Sequence, residues 1–361
     1  MITRADDYPI HQTAEPIAQV GTSDRNFDDR YFFNGYARDG SLYFAAAMGF
    51  YPNRQVQDAA FSVVHDGRQH VVRASHLAGP ERMHTHVGPI SIEVIEPLES
   101  LRLHVAPNQW GLAGDLRFTR RAPVLEEPRF SRRIGERLFM DYTRLTQHGE
   151  WTGWLEVDGR RMDVATLRCW GSRDRSWGIR PIGEREGGAP AFPLQFFWLW
   201  APLNFDDLCT HFDVCEDAEG EAWHSAGMVI FAGGTVETMR SVGYRLTLQP
   251  QTRHARYAEI TLQPKSGDPL QITLRPLYNF SMLGLGYGHP QWGHGMFVGE
   301  HAVGGEAWRL SEIDPSVPLH LHVQALCEAS AGARRGIGVL EQLILGPHRP
   351  TGFRDLFDLA E

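Results

Sequence analysis

Hydrophobic and polar residues alternate with a period of two along much of the chain, and the 3.6-residue period of an amphipathic helix is scarce. The alternation is clearest in residues 256–262, where Ala258, Ile260 and Leu262 form an apolar face and polar residues and a tyrosine occupy the positions between them. Such alternation is typical of half-buried β-strands. The pattern therefore predicts a mostly antiparallel β protein with about 10% helix or less.

Two Asp-Gly pairs, Asp66-Gly67 and Asp158-Gly159, separate alternating segments and predict tight β-hairpin turns. Asp and Gly readily supply the positive φ angles that two-residue hairpin turns require. Each pair should therefore join two neighbouring antiparallel strands. The predicted strands are residues 61–64, 70–73, 154–157, 161–165, 244–248, 256–262, 270–274, 319–326 and 339–345.

The length of 361 residues exceeds that of one ordinary domain and favours two. The Gly- and Pro-rich segment 181–193 has the composition of a linker. It divides the sequence into an N-terminal β domain, residues 1–183, and a C-terminal β domain, residues 184–361. Many short antiparallel strands favour sandwiches or barrels, and barrels remove the exposed edges that promote aggregation.

Composition narrows the classes of partner. A net charge of −9 and an isoelectric point near 6.0 weigh against nucleic acid, which needs a concentrated basic surface. No apolar run reaches the ~18 residues of a membrane span, and residues 1–14 lack the apolar stretch of a signal peptide. Four cysteines without Cys-x-x-Cys spacing favour reduced thiols in a cytoplasmic protein. Ten tryptophans and nineteen phenylalanines suit an aromatic-lined cavity or an aromatic core.

Several catalytic and nucleotide-binding motifs are absent from the sequence. It contains no Gly-x-Ser-x-Gly, no P-loop and no His-Glu-x-x-His, which makes a hydrolase, kinase or zinc protease less favoured. The glycines of residues 332–338 resemble a dinucleotide-binding fingerprint, but too few residues follow to complete that fold. Residues 284–288, also glycine-rich, are interpreted as a turn. We therefore predict no cofactor. Of the reaction types considered, general acid–base chemistry in an aromatic pocket is the one that remains.

The densest polar group of residues is 171–180, Gly-Ser-Arg-Asp-Arg-Ser-Trp-Gly-Ile-Arg. If this segment is a strand, its side chains project alternately to two faces. Asp174, Ser176 and Gly178 then share one face, and Arg173, Arg175, Trp177 and Ile179 share the other.

Two interpretations of this segment stay open. In the functional one, Asp174 is a general acid or base whose charge is set by Arg173 and Arg180, and Trp177 is the wall of a site for an aromatic or cationic group. In the structural one, an Arg–Asp pair and a Trp plug close one end of a barrel. Asp174 should stay ionised among arginines unless desolvation raises its pKa.

The second polar group is residues 286–295, in which glycines surround Tyr287, His289, Trp292 and His294. Two histidines five positions apart suit a ligand or proton-transfer site on an irregular strand. Two other pairs of histidines, at positions 84 and 86 and at positions 320 and 322, could bind a metal ion. No His-x₃-His pair or mixed Cys/His cluster accompanies them, so hydrogen-bonded histidines are preferred and no metal is predicted.

Several segments carry a family resemblance. They are residues 88–98, 154–161, 173–180, 288–295 and 345–348, and the likeness extends over nearly the whole chain. The chain resembles a bacterial family related to the carotenoid 1,2-hydratases (hydroxyneurosporene synthases) and the decalin-forming cyclases. The resemblance implies two lipocalin-like antiparallel β-barrel domains and chemistry without a cofactor on polyene or polyketide substrates. The family motif reads Arg-Asp-His-Ser-Trp-Gly, and Arg175 replaces its histidine here, which puts that chemistry in doubt.

These observations support a cofactor-independent lyase, hydratase or isomerase acting on an apolar aromatic or isoprenoid-like molecule. The alternatives are a non-catalytic carrier of the same ligand and, as a third possibility, a metal-dependent oxygenase. The predicted partner is this hydrophobic small molecule. A second copy of the chain, in a homodimer, is a further candidate partner. The predicted catalytic residues are Asp174, His289, His294, Arg173 and Arg180; the predicted substrate-binding residues are Trp170, Ser176, Trp177, Trp198, Trp200, Tyr287 and Trp292.

Overall fold

The computed structural model describes residues 1–11, 14, 16–183 and 194–361, and antiparallel strands dominate these ranges. Every helix in them is a short 3₁₀ helix, and none is long and apolar enough to cross a membrane. The predicted all-β class with little helix is therefore confirmed. The 3₁₀ helices are Arg4–Asp7, Pro52–Arg54, Met282–Leu285, Leu310–Glu312, Pro318–His320 and Arg349–Thr351.

The strands are β1 Phe27–Tyr36, β2 Leu42–Tyr51, β3 Val56–His65, β4 Arg68–Leu77, β5 His86–Val87, β6 Ile90–Glu96, β7 Ser100–Val105, β8 Leu112–Arg120, β9 Leu125–Glu126, β10 Phe130–Ile134, β11 Arg137–Val157, β12 Arg160–Asp163, β13 Trp170–Ile179, β14 Phe196–Trp200, β15 Leu203–Phe205, β16 Leu208–Glu216, β17 Ala222–Phe231, β18 Val236–Thr238, β19 Ser241–Leu248, β20 Ala255–Gln263, β21 Leu270–Ser281, β22 His301–Arg309, β23 Val323–Ala331 and β24 Arg334–Leu345.

The chain forms two compact units, and the first includes a segment from late in the sequence. Its parts are Met1–Gly188 and Leu283–Arg309, and the second unit comprises Ala189–Met282 and Leu310–Glu361. The late segment joins the first unit because β22 pairs antiparallel with β4 along its whole length. The alternation of residues within a strand does not reveal which other strand it pairs with. A single boundary at 183/184 therefore does not assign Leu283–Arg309 to the first unit. Most of the predicted linker, residues 184–193, lies outside the described residues.

The sheet of the first unit runs in the order β22-β4-β3-β2-β1-β13-β11-β8-β7-β6-β5, and its inner face packs on an aromatic core. Trp151 lies at the centre of this core, with the rings of Phe33, Phe44 and Phe118 edge-on at 5.2–5.8 Å. Such edge-to-face contacts stabilise aromatic clusters beyond the area they bury. Part of the high aromatic content is therefore explained by core packing.

The sheet of the second unit runs in the order β18-β17-β16-β14-β24-β23-β21-β20-β19 and encloses its own core. Alternate residues of β14 and β16 enter this core, among them Phe197, Leu199, Phe212 and Val214. Cysteines 169, 209, 215 and 327 of the two units are all buried thiols.

Both predicted Asp-Gly hairpins are confirmed. The φ angles are 49° and 71° at Asp66 and Gly67, and 49° and 79° at Asp158 and Gly159. Two successive positive φ angles match the right-handed twist of the flanking strands, which explains why these residues occupy the turns.

Three local predictions need correction. The predicted strand 319–326 begins only at Val323, because Pro318, whose φ is fixed, opens a 3₁₀ turn before it. The predicted strand 161–165 ends at Asp163. Residues 286–295 form turns rather than an irregular strand, and three of their glycines have φ between 66° and 95°.

Candidate functional site

Three neighbouring strands of the first unit carry charged side chains on the face of the sheet opposite its apolar core. Arg30 of β1 lies opposite Ser176 of β13, which lies opposite Arg144 of β11. Asp174 lies two residues before Ser176 and projects to the same face. Together with groups from β3 and the 286–295 turns, these residues form what we call the outer-face cluster: Asp28, Arg30, Asp58, Arg144, Asp174, Ser176, Arg180, Tyr287 and His294.

Asp174 is half-buried, and burial raises its pKa to about 6. The guanidinium groups of Arg144, Arg180 and Arg30 oppose this rise, while the nearby Glu127 carboxylate adds to it. The Glu127 carboxylate also binds the Arg144 guanidinium, with an Nε–Oε2 distance of 2.8 Å, so it competes for that positive charge. Desolvation therefore has a larger effect on the pKa of Asp174 than the charges of the arginines. This is the case that the sequence analysis named as the exception to an ionised Asp174.

Two further carboxyl groups of the cluster have raised pKa values. Burial raises the pKa of Asp28 to about 7, although Arg180 lies 3.8 Å away and Arg30 also favours the charged form. Burial raises the pKa of Asp58 to about 6, against the Arg30 charge and a 2.8 Å hydrogen bond donated by the Gly295 amide. The cluster thus holds several carboxyl groups that change protonation near neutral pH.

Arg30 connects the sheet to the 286–295 turns. Its Nη1 donates to the Tyr287 hydroxyl at 3.0 Å, and its two terminal nitrogens lie 3.0 and 2.8 Å from the ring nitrogens of His294. A guanidinium group only donates, so at least one His294 nitrogen must accept from it and carry no proton. His294 is buried, and its Nε2 also lies 2.8 Å from the Leu285 carbonyl oxygen. His294 therefore positions Arg30 and Tyr287.

His289 has partners outside the outer-face cluster. Its Nδ1 accepts hydrogen bonds from the backbone amides of Gln291 and Trp292, at 3.1 and 2.9 Å. Its Nε2 lies 3.5 Å from Glu306, whose carboxylate is 2.7 Å from Arg73. Burial lowers the pKa of His289, and the Arg73 charge lowers it further. His289 thus orders the turn and faces the Arg73–Glu306 pair.

The side chains on the opposite face of β13 alternate with those of the outer-face cluster, as predicted. One predicted pair, Arg173 with Asp174, is not formed. Arg173 was expected to set the charge of Asp174, but it points to the inner side and binds the fully buried carboxylate of Asp7 at 2.6 and 3.2 Å. Its Nε donates to Gln147. Strand alternation explains the difference, because adjacent residues of a strand project to opposite faces.

Arg175, which replaces the histidine of the family motif, also points inward. Its Nη1 lies 2.7 Å from the Asp29 carboxylate, and its guanidinium group covers the Tyr31 ring at 4.0 Å. Burial opposes the charge on Asp29, yet Arg175 and a hydrogen bond from His11 hold its pKa below the ordinary value. Position 175 is therefore separated from Asp174 by the sheet.

Trp177 borders a cavity of about 640 Å³ in the first unit. One face of its indole stacks on the His11 ring, with centroids 3.8 Å apart and planes within 8°. His11 in turn bridges the carboxylates of Asp6 and Asp29, at 3.0 and 3.2 Å. Other groups on the cavity wall include Phe27, Tyr142 and Thr143. Trp177 and Asp174 therefore do not share a face of the sheet.

The remaining predicted tryptophans have packing contacts. The Trp170 indole is covered by the guanidinium groups of Arg38 and Arg121, at 3.9 and 4.0 Å. Trp292 packs against β22, so close that a Cβ at Gly304 would be 2.5 Å from its ring. Trp198 and Trp200 lie in β14 of the second unit and are both buried.

The second unit contains a buried cluster that the sequence analysis missed. His211 and His224 each place a ring nitrogen 3.2 Å from a carboxylate oxygen of Asp213. Burial opposes the charge on Asp213, but hydrogen bonds from both histidines hold its pKa well below the ordinary value. Trp200 packs edge-on to His211 at 6.4 Å. The sequence signal was the alternation of His211 and Asp213 within an apolar strand.

Gly178, on the face of Asp174, has a φ of 136°. A Cβ there would lie 2.4 Å from the Asp141 carbonyl oxygen, so the neighbouring strand leaves no room for a side chain. We expect Gly178→Ala to lower the free energy of unfolding by about 1–3 kcal/mol in denaturant titrations. Gly79→Ala, at a position with open space and ordinary φ, is the control and should change it by less than about 0.5 kcal/mol. Equal effects of the two variants would contradict the close approach.

Solved structures of low sequence identity share this fold. A protein from Nitrosomonas europaea provisionally titled AttH has 14% identity and a TM-score of 0.55, covering 90% of this chain and 94% of its own. Kievitone hydratase from Nectria haematococca has 10% identity and a TM-score of 0.53, covering 87% and 88%. CghA bound to Sch210972 has 13% identity and a TM-score of 0.51, covering 89% of each chain. These likenesses confirm the predicted two lipocalin-like β domains.

Sequence comparison identifies a family for this chain. None of the curated proteins matches this sequence. The family model, in contrast, extends over both structural units and almost the full length of the chain. The chain belongs to the family of unknown function DUF8625, whose model matches residues 2–354.

Proposed function

We propose that the protein is a cofactor-independent lyase, hydratase or isomerase that performs acid–base chemistry on an apolar aromatic or isoprenoid-like molecule, with Asp174 transferring the proton. The observation that carries the proposal is the burial of this carboxyl group and its raised pKa. Asp174 is half-buried, and its pKa of about 6 lies close to neutral pH although three arginines oppose the rise. A group with such a pKa is available as acid and as base under working conditions.

The cluster provides what each direction of the reaction requires. In hydration, the Asp174 carboxyl donates a proton to a carbon–carbon double bond, and the carboxylate then takes a proton from the attacking water. The Arg144, Arg180 and Arg30 charges stabilise that carboxylate. Elimination of water follows the same steps in reverse, and isomerisation needs only protonation and deprotonation at different carbons.

We assign the complementary polar role to Tyr287 rather than to His289 or His294. The Tyr287 hydroxyl accepts a hydrogen bond from Arg30, and this polarises its own O–H toward a substrate oxygen. His294 accepts from the same guanidinium group, and His289 binds the backbone of its own turn. Ser176 supplies a further polar contact, because its buried Oγ has no hydrogen-bond partner among the described residues.

The substrate class is inferred from proteins of the same fold and from the composition of the sequence. The names kievitone hydratase and CghA bound to Sch210972 belong to proteins of the same fold that handle organic small molecules. The absence of nucleotide-binding motifs from the sequence and its high aromatic content agree with an apolar ligand.

A carrier of a hydrophobic molecule is the second candidate, and the cavity beside Trp177 favours it. Its volume of about 640 Å³ lies within the range of small-molecule sites, roughly 300–1,000 Å³. A carrier needs shape and apolar lining but no titratable group poised near neutral pH.

Screening apolar aromatic and isoprenoid compounds without any added cofactor tests the proposal. We expect a compound that quenches tryptophan fluorescence, is converted, and has a turnover rate that changes with a midpoint near pH 6, set by Asp174. NAD, ATP and flavin should not shift the melting temperature. Saturable binding without conversion across pH 4–9 would favour the carrier, and a nucleotide as the best stabiliser would contradict both candidates.

A further inference from the structure

Four histidines of the first unit lie close together, and we call them the histidine patch: His76, His84, His86 and His301. The ring centroids of His76 and His84 are 6.1 Å apart, and those of His84 and His86 are 6.0 Å apart. His301, the first residue of β22, lies directly opposite His76 of β4. His84, His86 and His301 are exposed, whereas His76 is half-buried.

Hydrogen bonds of Gln57 fix which nitrogen of His76 carries the proton. The Gln57 Nε2 donates to the His84 carbonyl oxygen at 2.9 Å, which orients the amide and turns its Oε1 toward His76. That Oε1 lies 2.8 Å from the His76 Nε2 and can only accept, so the Nε2 of His76 carries the proton. The His76 Nδ1 is then left with a lone pair.

This arrangement is typical of a metal ligand, because a ligating histidine usually donates its other ring N–H to a carbonyl or carboxylate oxygen. Zinc binds imidazole nitrogens at about 2.0–2.1 Å in tetrahedral geometry, which places neighbouring ring centroids roughly 5 Å apart. The observed separations of 6.1 and 6.0 Å exceed this by about an ångström. The proposed site therefore requires the exposed side chains of His84 and His86 to change rotamer on binding.

We propose that the histidine patch binds one divalent transition-metal ion, of the class of Zn²⁺, Ni²⁺ and Cu²⁺, with the His76 Nδ1 as the oriented ligand and His84, His86 and His301 completing the set. Imidazole is a ligand suited to these ions.

The metal site is distinct from the outer-face cluster. Gln57 and His76 are cross-strand partners, and the next pair along β3 and β4 is Asp58 with Ser75. Because adjacent residues of a strand project to opposite faces, Asp58 of the cluster and His76 of the patch lie on different sides of the sheet. The patch therefore contains none of the residues proposed for the acid–base reaction.

Titration of the chelator-treated full chain with Zn²⁺, in competition with a chromophoric chelator, tests the proposal. We expect one equivalent of Zn²⁺ to bind, and the double variant His84→Asn/His86→Asn to bind at least about 100-fold more weakly. His65→Asn is the matched control, since His65 faces Asp66 in the hairpin turn and lies outside the patch. Circular dichroism and melting curves check that the exposed substitutions leave the fold intact.

A second variant tests the orientation of His76. Gln57→Leu removes the acceptor of the His76 N–H and should weaken Zn²⁺ binding by about 10- to 100-fold, whereas all four histidines remain. Cobalt should show the visible absorption of a tetrahedral site in the wild type, with reduced intensity in this variant. The proposal is overturned if no saturable binding occurs up to 1 mM Zn²⁺, or if the double variant binds as tightly as the His65→Asn control.

Discussion

The Asp174→Asn variant should lose about 100-fold or more in turnover while becoming more stable at pH 8. Asn keeps the shape and hydrogen-bonding reach of Asp but has no proton to transfer, and one acid–base group contributes about 10²–10⁴-fold. Ligand affinity should change little, because only the transition state depends on the proton. The rate is measured on a substrate from the screen, and stability by denaturant unfolding.

The stability gain follows from the direction of the pKa shift. Folding raises the pKa of Asp174 from 3.8 to about 6, so the native state binds its proton more tightly than the unfolded chain. Stability from this group is therefore highest below pH 4 and falls as the pH rises through 6. The cost above pH 6 is at most about 3 kcal/mol, and Asn removes it. The gain should be visible at pH 8 and absent at pH 4.

Asp115→Asn is the control for this experiment. Asp115 forms an exposed ion pair with Arg102 at 2.6 Å, and hydrogen bonds from Arg102 lower its pKa. Exposed pairs contribute about 0–1 kcal/mol, so this variant should keep full turnover and lose slightly in stability. A rate within threefold of wild type for Asp174→Asn would show that Asp174 transfers no proton. A loss of stability at pH 8 would show that it acts as a counter-charge for arginine.

Asp7→Asn should produce the largest loss of stability, about 3–5 kcal/mol. Asp7 and Arg173 are both fully buried, and their two hydrogen bonds pair the charges inside the first unit. Removing one partner leaves a buried guanidinium group without a counter-charge. The Leu98 amide also loses the carboxylate that it now reaches at 2.6 Å. Denaturant unfolding at constant pH measures the change.

Two further variants make this result specific. Asp6→Asn alters the neighbouring, less buried carboxylate, which accepts hydrogen bonds from Thr3, and should cost only about 1 kcal/mol. Arg173→Gln combined with Asp7→Asn removes both charges and should recover part of the loss, giving a coupling energy in a double-mutant cycle. Additive effects of the two substitutions would contradict a direct pair.

The sequence alone was enough to predict the features of the fold that depend on a few neighbouring residues. The hairpin turns at Asp66-Gly67 and Asp158-Gly159 depend on two residues, and the two faces of residues 173–179 depend on alternation within one strand. Strands β1 and β2 were missed, because almost every residue in both is buried and alternation disappears when both faces are covered.

The candidate site was harder to predict because its pairs come from distant parts of the chain. The partner of Arg173 is Asp7, in a polar N-terminal segment with no periodic pattern. Asp28 and Arg30 lie in β1, a strand that the alternation pattern did not predict. Asp174 could be identified from its motif, but its pKa depends on burial, which no neighbouring residue in the sequence specifies.

The pairing of β22 with β4 has a consequence for folding during synthesis. β4 receives its neighbour only after β14 to β21 of the second unit have been made. Until His301–Arg309 leaves the ribosome, the backbone amides and carbonyls of β4 form an open strand edge, and such edges pair readily with other chains. We therefore expect nascent chains that stop before β22 to aggregate more than chains that extend past it.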